Sequence, residues 1–556
     1  MDFAAANTTP SQRITQLLAQ YGAPRVCAAH LLCDRHHPES IAYRVVASDL
    51  SVDAFTYGDL KLQSERFAAA LAAQGVRPGD RVATLMGKSK EFLITLMGIW
   101  RLGAVHVPLF TAFAPAAVAL RLTGSQAKVV VCDAGQRGKL DPGPDMPAGA
   151  PWAIITVGGA AGARGTGFQQ ALDEQAPGFE AATLGPDSPL IQIYTSGTTG
   201  RPKGVVVPVR ALASFHAYAE LSLGLRPDDT YWCAADPGWA YGLYFGVLGS
   251  FTTGVSSVLL KAGFDAALTY KVLEQCGVTN FAAAPTVYRS MLASDAKPGA
   301  LRIRCASSAG EPLTPEVNQW AIGALGVPVY DHYGQTETGM SICNHHDPRL
   351  AGAVKPGCMG TPMPGWSAAV LAKDADVPAA VGEVGRVVFD LQASPLAWFS
   401  GYESEPEKSA EKFTADGRWY VTGDLGQVDA DGYFQFSSRE DDVIIMAGYR
   451  IGPFEIESVL TVHPAVAECA VIAVPDAVRG EVIEAYVVPR QGNGASDALE
   501  KDLQRWVKER YAAHAYPRKV HFAQQLPKTP SGKVQRFVLR EQRRQALERE
   551  AAQAAA

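Results

Sequence analysis

The stretch TSGTTGRPKG, residues 195–204, is the densest run of small, flexible and hydroxyl-bearing residues in the chain. Glycines let a backbone approach phosphate closely, and Ser or Thr hydroxyls can donate hydrogen bonds to its oxygens. Aligned from Gly197, a Walker P-loop would have a glycine at the position of Pro202 and a Ser or Thr at the position of Gly204. The next residues, GVVV, predict a strand, whereas a P-loop leads directly into a helix. The stretch therefore predicts a phosphate loop of another kind, with an ordinary surface loop as the alternative.

Further segments carry side chains suited to a nucleotide and its metal. Thr336 and Glu337, in DHYGQTETG, offer a hydroxyl for phosphate and a carboxylate for a divalent cation. Asp424, in YVTGDLG, is predicted to lie in a turn, where it could accept hydrogen bonds from two ribose hydroxyls. Three later positions add cations: Arg439, Arg450 and Lys533. Each alone could be a surface feature, but their joint order is harder to explain that way.

Alternating β-branched runs and helical stretches must position these residues. RVATLMG, AVHVPLF and KVVVCD alternate with predicted helices from about Lys90 to Leu102 and from about Pro115, which indicates α/β layers with a largely parallel sheet. LIQIY is a predicted strand that enters the 195–204 loop. Residues 134–188 are rich in Gly, Pro, Ala and Asp and predict a loose connection around the run AIITV.

A second α/β stretch follows the loop and then gives way to other patterns. Its predicted strands lie in SSVLL, TNFAAAP, RIRCASSAGEP and PVYDHYG, and shorter strands after Gly360 predict a small β-rich unit. From about Ser438 a compact C-terminal domain of ordinary size begins. Between Lys501 and Arg549 it holds 13 Lys or Arg residues against 4 Asp or Glu residues. This basic excess fits either a solvated helical surface or a docking face for a polyanionic small molecule.

Composition excludes several classes of protein. Hydrophobic residues make up 47% and charged residues 19%, which predicts large buried cores, and the net charge of −6 argues against nucleic-acid binding. Nine scattered cysteines without a C-x-x-C spacing indicate a reduced, cytoplasmic protein with no disulfide framework. The first residues show no signal pattern. Arg101 and Gly103 interrupt EFLITLMGIWRLGAVHVPLF, which predicts a buried helix and strand and not a membrane span.

Taken in order, the loop 195–204, the DHYGQTETG, YVTGDLG and SSREDD segments and PKTPSGKVQR resemble the motifs of the adenylate-forming superfamily. This superfamily comprises acyl-CoA synthetases, nonribosomal peptide adenylation domains and luciferases. The chain is most similar to the acetyl-CoA and medium-chain acyl-CoA synthetase branch, from about Phe55 to Arg540. The resemblance implies an α/β fold in which a large N-terminal domain of layered α/β subdomains, with a small β-barrel-like unit, spans 1–437. A hinge at 438–441, with Asp441 at the hinge position, leads to a small α+β domain at 442–556 that rotates between two half-reactions.

The resemblance also implies contacts to ATP, with the 195–203 loop gripping the β- and γ-phosphates. The implied nucleotide contacts are Thr195, Ser196, Gly197, Thr198, Thr199, Gly200, Lys203, Gly310, Glu311, Pro312, Asp331, His332, Tyr333, Gly334, Gln335, Thr336, Asp424, Arg439 and Lys533. The implied catalytic residues are Thr336, Glu337 and Lys533, with Glu337 as the Mg²⁺ ligand. A cation that bridges a substrate carboxylate and the α-phosphate reduces their repulsion in the transition state. A general base is unnecessary because a carboxylate is already ionised at neutral pH.

The second half-reaction requires a path for coenzyme A. Ala447, Gly448 and Tyr449 match the segment that lines the pantetheine tunnel. The other positions that match CoA contacts in the medium-chain branch are Arg450, Arg479, Lys508, Tyr516, Pro517 and Arg518. Arg450 is also a candidate contact to the substrate. CoA carries several phosphate charges, so these cations account for part of the basic excess.

The acid pocket is expected at AADPGWAYGLYFGV, with Trp239 on its wall. Acetate-specific relatives carry a Trp where this chain has Gly334, and the missing indole is expected to leave room for several carbons, each worth roughly 0.8 kcal/mol when buried. This interpretation favours a short-to-medium-chain or small aromatic acid. For Tyr241, Leu243 and Tyr244, packing in a helix is an equally good interpretation.

Several alternatives stay open from the sequence. The chain could load a carrier protein instead of free CoA, or could be a nucleotide-binding module without catalysis, although the latter should have lost Glu337 or Lys533. The run NHHDPRL, residues 344–350, resembles a metal cluster without a third ligand motif. The expected partners are a carboxylic acid, ATP and CoA, with no nucleic acid and no membrane. A lysine acetyltransferase acting on Lys533 is a regulatory hypothesis from the resemblance, and the oligomeric state is open.

Overall fold

The structure is a computed structural model that describes residues 3–5, 7–159, 165–195, 202–446, 449–476, 480–511, 515–529 and 532–554. The helices of this part are α1 (Pro10–Tyr21), α2 (Tyr57–Ala73), α3 (Lys90–Leu102), α4 (Pro115–Ser125), α5 (Phe168–Asp173), α6 (Leu212–Ala217), α7 (Gly249–Thr253), α8 (Ala266–Gln275), α9 (Pro285–Leu292), α10 (Pro315–Ala324), α11 (Pro406–Ala410), α12 (Pro453–Thr461), α13 (Asp497–Arg510) and α14 (Arg536–Ala554). Short π-helical stretches cover His30–Asp34, Tyr218–Ser222 and Gly242–Leu248, and short 3₁₀ stretches cover Ala134–Leu140, Val209–Ala211 and Glu440–Asp442.

The strands alternate with these helices in most of the chain. In chain order they are β1 (Ile41–Val46), β2 (Val52–Thr56), β3 (Arg81–Leu85), β4 (Val105–Pro108), β5 (Val129–Asp133), β6 (Ala153–Val157), β7 (Gly165–Gly167), β8 (Pro189–Thr195), β9 (Lys203–Pro208), β10 (Thr230–Cys233), β11 (Ser256–Leu260), β12 (Asn280–Ala283) and β13 (Cys305–Ala309). They continue with β14 (Val329–Gln335), β15 (Gly339–Cys343), β16 (Cys358–Pro362), β17 (Ala368–Leu371), β18 (Gly385–Asp390), β19 (Trp419–Val428), β20 (Phe434–Arg439), β21 (Ile444–Met446), β22 (Tyr449–Ile451), β23 (Val466–Asp476), β24 (Gly480–Pro489) and β25 (Lys519–Phe522). The predicted α/β class is confirmed.

The helix α3 shows how local sequence fixes an element. The Ser89 hydroxyl accepts a hydrogen bond from the Phe92 N–H at 3.1 Å, which caps the first turn, and Gly103 ends the helix in the left-handed region. Its apolar residues lie in the core, as do those of β4, so the most apolar stretch of the chain is a buried helix and strand as predicted. In the described part of the chain, no helix is both long and apolar enough to cross a membrane.

Two sheets build the N-terminal part. Among the described residues, seven strands pair in the order β7-β6-β5-β3-β4-β8-β9, and thirteen pair in the order β17-β18-β19-β20-β16-β15-β14-β13-β12-β10-β11-β1-β2. The strands β10 to β14 are parallel where they pair with one another, and β14 to β20 are antiparallel. The β-rich unit expected after Gly360 is present, and it pairs through β16 with β15 as the antiparallel end of the larger sheet.

Two local predictions are wrong. The described residues of the stretch 134–188 are more ordered than a loose connection, because β6 pairs with β5 along five residues and β7 and α5 follow it. Asp424 lies within β19 and not in a turn, since it pairs with Arg439 of β20. The turn-like signal comes from Gly423, whose φ of +77° interrupts the regular strand geometry.

The C-terminal domain has its own hydrophobic core. Buried residues from Ile444 to Leu539 pack together there, separately from the main core of the N-terminal part. Its sheet has the order β22-β21-β24-β23, and β25 is added beside β24. The chain passes into this domain from β20 through the 3₁₀ stretch Glu440–Asp442, close to the predicted hinge. The boundaries 1–437, 438–441 and 442–556 stay predictions.

Candidate active site

The ends of the phosphate-loop candidate lie opposite each other on a hairpin. Thr195 at the end of β8 pairs with Lys203 at the start of β9, and the two strands are antiparallel. The predicted strand after the loop is confirmed by β9. Lys203 directs its Nζ over the Tyr402 ring, 4.9 Å from the ring centre. The hairpin therefore directs the loop's only lysine toward the residue that contacts Glu337.

Glu337 lies in the connection between β14 and β15 and is 8% exposed. Its Oε1 accepts a hydrogen bond from the Tyr402 hydroxyl at 2.7 Å. Within the part of the chain that the structure describes, its second carboxylate oxygen accepts no hydrogen bond. A carboxylate that is held by one oxygen and free at the other fits a Mg²⁺ ligand, since Mg²⁺ prefers oxygen donors and takes few of them from protein.

Asp424 is the most heavily hydrogen-bonded carboxylate of the site. Its Oδ2 accepts from the Tyr333 hydroxyl at 2.5 Å and from Gln335 Nε2 at 2.7 Å, and its Oδ1 accepts from Arg439 Nη1 at 3.0 Å. The amide oxygen of Gln335 in turn accepts from the Tyr420 hydroxyl at 2.8 Å. Three strands thus fix one buried carboxylate, and the motifs DHYGQTETG, YVTGDLG and SSREDD meet at this point.

The wall formed by β13 and β14 contains two buried titratable groups. Burial raises the pKa of Asp331 to about 7, although its carboxylate accepts a hydrogen bond from the Leu313 N–H at 3.2 Å. Burial also lowers the pKa of His332 well below its usual value, and the ring is held by the Tyr218 hydroxyl at 2.7 Å and the Asn344 carbonyl at 2.7 Å. A neutral, doubly hydrogen-bonded imidazole is suited to shaping a wall and not to proton transfer.

Lys533 reaches the same region from the C-terminal domain. The turn before it is closed by the Thr529 N–H donating to the Lys533 carbonyl at 2.7 Å and by the Lys533 N–H donating to the Thr529 hydroxyl at 3.0 Å. Lys533 Cε lies 3.8 Å from the position that a β-carbon would take at Gly310. The lysine side chain is exposed.

One ion pair links the C-terminal domain to the N-terminal part. Arg490 Nη2 lies 3.2 Å from Glu316 Oε1 across the domain boundary. Glu311, beside Gly310, pairs with Arg289 Nη2 at 2.8 Å. The next residue in the implied adenine segment is Pro312, which precedes the Leu313 N–H that contacts Asp331. The segment Gly310–Pro312 therefore lies where the two domains meet the nucleotide wall.

Three of the candidate CoA residues of the C-terminal domain, Lys508, Tyr516 and Arg518, lie together. Lys508 Nζ lies 3.8 Å from the centre of the Tyr516 ring, and Arg518 Cζ lies 3.9 Å from it. Pro517, which follows Tyr516 in the sequence, is buried. Some of the basic residues between 501 and 549 form ion pairs within the C-terminal domain. Arg536 pairs with Glu457 at 2.6 Å, and Arg543 pairs with Glu484 at 2.7 Å. The arginines of α14 thus largely hold their own domain together, and Lys508 and Arg518 are the better candidates for a ligand.

The acid-pocket candidate Trp239 lies in an aromatic group. Its ring centre is 5.4 Å from that of Phe110 and 5.6 Å from that of Phe113. Leu243 and Tyr244 are fully buried core residues, and the Tyr241 hydroxyl contacts the Tyr218 hydroxyl at 3.2 Å. Leu243 and Tyr244 thus pack in the core, and a role in shaping the acid pocket stays a prediction.

The expectation about Gly334 needs correction. A β-carbon at Gly334 would lie 2.0 Å from the Gly339 carbonyl oxygen and 2.7 Å from Met340 Cα. The missing side chain thus faces the backbone of β15 and not a cavity. In this chain Gly334 is required by the close approach of β14 and β15, and the absence of an indole does not by itself widen the acid pocket.

Some candidate residues cannot be placed. Ser196, Gly197, Thr198, Thr199, Gly200, Ala447, Gly448 and Arg479 lie outside the described residues, as do the side chains of Asp441, Tyr449 and Arg450. Thr336 is placed beside Glu337, with its carbonyl accepting from the Tyr244 hydroxyl at 3.2 Å.

The histidines of the 344–350 run have structural partners. The Ser222 hydroxyl lies 3.1 Å from His345 Nδ1, and the Ser307 hydroxyl lies 3.1 Å from His346 Nε2. Over the residues that the structure describes, no three His, Cys, Asp or Glu side chains are grouped so as to hold a metal. All nine cysteines are free thiols.

Sequence reasoning missed Tyr402, Tyr420 and Lys412. Tyr402 contacts Glu337, and Tyr420 contacts Gln335. Lys412 Nζ donates to the Thr422 carbonyl at 2.9 Å, beside Asp424. Tyr402 and Tyr420 reach partners 65 and 85 residues away in the sequence, so no local spacing could have indicated these contacts.

Comparison with known proteins agrees with this arrangement. The model of the family described as AMP-binding enzyme matches residues 33–402, and that of the AMP-binding enzyme C-terminal domain matches residues 455–533. Acetyl-coenzyme A synthetase of Bacillus subtilis (strain 168) is 36% identical over 534 residues, covering 92% of this chain and 90% of that protein.

Solved structures share the whole fold. The crystal structure of Brucella canis acyl-CoA synthetase is 39% identical, with a TM-score of 0.74 over 98% of both chains. The anthranilate CoA ligase AuaEII, solved in complex with anthranoyl-AMP, is 28% identical, with a TM-score of 0.84 over 94% of this chain and 98% of that one.

Proposed function

Because the chain belongs to the AMP-binding, adenylate-forming enzyme family, we propose that it is an AMP-forming acyl-CoA synthetase acting on a short-to-medium-chain or small aromatic carboxylic acid. In the first half-reaction a carboxylate oxygen attacks the α-phosphorus of ATP, and the bond to the β-phosphate oxygen breaks to release pyrophosphate. In the second, the CoA sulfur attacks the acyl carbon, AMP leaves, and the thiol proton passes to solvent.

The observation that carries the proposal is the approach of Lys533 to Gly310, which directly follows β13. The neighbouring strand β14 carries Tyr333 and Gln335, whose side chains donate to Asp424. The chain's own residues divide the work. Asp424 is oriented to accept from ribose hydroxyls, and Lys533 supplies a positive charge where two anions must meet. Bound to Glu337, Mg²⁺ would neutralise charge on the phosphates.

The acid is proposed from the aromatic surroundings of Trp239. Phe110, Phe113 and Trp239 offer an apolar wall, and the Trp239 indole N–H is buried with no hydrogen-bond partner among the described residues. Such a wall stabilises each buried methylene by roughly 0.8 kcal/mol, or about fourfold in binding. The names of two similar proteins support this range of acids. One is an acetyl-coenzyme A synthetase, named for a smaller acid, and the other is an anthranilate CoA ligase, named for an aromatic one.

A panel of acids from C2 to C12, with benzoate and anthranilate, tests the proposal by CoA-dependent AMP release. We expect kcat/KM to rise from acetate to an optimum at longer or aromatic acids. Acetate as the best substrate would refute the pocket argument while leaving the reaction class intact. AMP release that needs a phosphopantetheinylated carrier protein and ignores free CoA would favour the carrier-loading alternative.

Regulation by acetylation of Lys533 is proposed on the same charge argument. Lys533 is exposed, and its acetylation would remove the cation that the first half-reaction needs. Protein acetylated at Lys533 should lose pyrophosphate exchange, and a deacetylase should restore it. Full exchange activity in the acetylated protein would contradict the proposal.

A further inference from the structure

Lys412 is a cation whose position is fixed from several sides. It follows α11, and its N–H donates to the Ser409 carbonyl at 3.0 Å while its own carbonyl accepts from the Val421 N–H at 2.8 Å. Its Nζ donates to the Thr422 carbonyl at 2.9 Å and lies 3.4 Å from the Val421 carbonyl. The ammonium group is therefore anchored beside β19, one residue from Gly423.

Lys412 and Arg439 converge on the space beside Gly423. The position of a β-carbon at Gly423 lies 3.8 Å from Lys412 Nζ and 3.8 Å from Arg439 Nη2. Gly423 has a φ of +77°, and Asp424 is the next residue. Two cations thus border a space that holds no side chain, directly beside the proposed ribose carboxylate.

The charge of Lys412 is not used to orient Asp424. That carboxylate already accepts from Tyr333, Gln335 and Arg439. Throughout the described ranges no carboxylate lies within ion-pair distance of Lys412, and the two carbonyls use two of its three donor hydrogens. Burial lowers the pKa of Lys412, and the nearby Glu337 and Asp424 carboxylates oppose this shift. Lys412 Nζ also lies 5.5 Å from the centre of the Tyr420 ring, and one of its donor hydrogens is left for a ligand.

We propose that Lys412 is a further phosphate contact, which binds the pyrophosphoryl part of ATP together with Lys203. The inference rests on the proposed function, in which Asp424 marks the ribose end of ATP and Glu337 the metal end. Lys412 is close enough to both to interact with them electrostatically, and Lys203 is close enough to interact with Lys412. The polyphosphate must pass between the ribose and the metal, so a cation at this place meets phosphate oxygens.

The test compares Lys412→Met, which keeps the length of the side chain, with Lys412→Arg, which keeps the charge. Lys408→Met is the matched control, because Lys408 lies on α11, pairs with Glu411 at 2.6 Å and has a half-buried side chain. In acid-dependent ATP–pyrophosphate exchange, Lys412→Met should raise KM for ATP and for pyrophosphate by at least about tenfold each. KM for the acid and Kd for AMP should stay within about twofold, and Lys412→Arg should recover most of the loss.

Other outcomes would overturn the inference. Equal weakening of AMP binding and ATP binding would show that Lys412 acts through the ribose site. Unchanged KM values for ATP and pyrophosphate would show that Lys412 does not contribute to their binding. If Lys412→Met does not fold, the inference can be tested by chemical acylation of the lysines of the wild-type protein. Mass spectrometry then measures how far Lys412 is modified with and without each ligand. Pyrophosphate and ATP, but not AMP, should then protect Lys412, and equal modification with and without pyrophosphate would refute the contact. Wild-type protein without any exchange activity would instead refute the proposed function.

Discussion

Replacing Lys533 by Ala should separate the two half-reactions. Lys533 is held by backbone and hydroxyl contacts to Thr529, and the substitution removes only the side chain beyond Cβ. Its Cε lies 3.8 Å from the β-carbon position of Gly310, at the meeting point of the two domains. Acid-dependent ATP–pyrophosphate exchange should therefore fall, while CoA should still react with acyl-adenylate that is supplied ready-made.

The size of the loss follows from the position of the charge. Removal of one preorganised donor from a developing transition-state charge typically costs 10²- to 10³-fold in kcat, or roughly 3–4 kcal/mol. Folding should change little, because Lys533 is exposed and exposed substitutions usually cost less than about 0.5 kcal/mol. The expected result is an exchange rate at least about 100-fold lower, with an unchanged unfolding midpoint.

A matched lysine in the same turn provides the control. Lys528 pairs with Glu468 at 2.6 Å within the C-terminal domain, so Lys528→Ala makes the same change in charge without touching the N-terminal part. We expect Lys528→Ala to keep the exchange rate within about threefold, because partly exposed ion pairs contribute little. Equal loss of both half-reactions in Lys533→Ala, or equal losses in the two variants, would refute the role of Lys533.

Two further predictions concern residues around the site. Tyr402→Phe removes the 2.7 Å hydrogen bond to Glu337. The Mg²⁺ concentration that gives half of the maximal exchange rate should therefore rise about tenfold. An unchanged Mg²⁺ titration curve would contradict this prediction. Burial raises the pKa of Asp331 to about 7, above its unfolded value near 3.9, so its contribution to stability is lost as pH rises through 7. In urea unfolding, the free energy of unfolding of Asp331→Asn should therefore rise by roughly 2–3 kcal/mol relative to that of wild type between pH 5 and pH 8. A difference between the two proteins that does not change with pH would refute the pKa shift of Asp331.

Much of the fold could be predicted because its elements carry strong periodic signals. The helix α3 has the predicted bounds, and the strands β3, β4, β5 and β8 lie in the predicted runs. Most of the residues in these elements are buried, so their sequences are rich in apolar residues. The stretch 134–188 was harder, because β7 is only three residues long and Gly-rich composition resembles that of a loop.

The site was predicted by motif and not by geometry. Short motifs contain the residues that a ligand meets, so Asp424, Gln335 and Arg439 were found although three different strands carry them. Partners such as Tyr402 and Lys412 stand outside these motifs. Their roles depend on how β14, β19 and α11 are brought together, which no spacing within one segment encodes.

Gly334 shows where a comparison of single residues fails. The argument that a missing indole opens a pocket assumes that the side-chain direction points into that pocket. Here the β-carbon position lies 2.0 Å from the Gly339 carbonyl oxygen, so a Trp would require β14 and β15 to follow another path. We propose that the size of the acid site depends on the backbone between 334 and 340 together with the aromatic group around Trp239. One substitution at Gly334 is therefore not expected to transfer acid specificity.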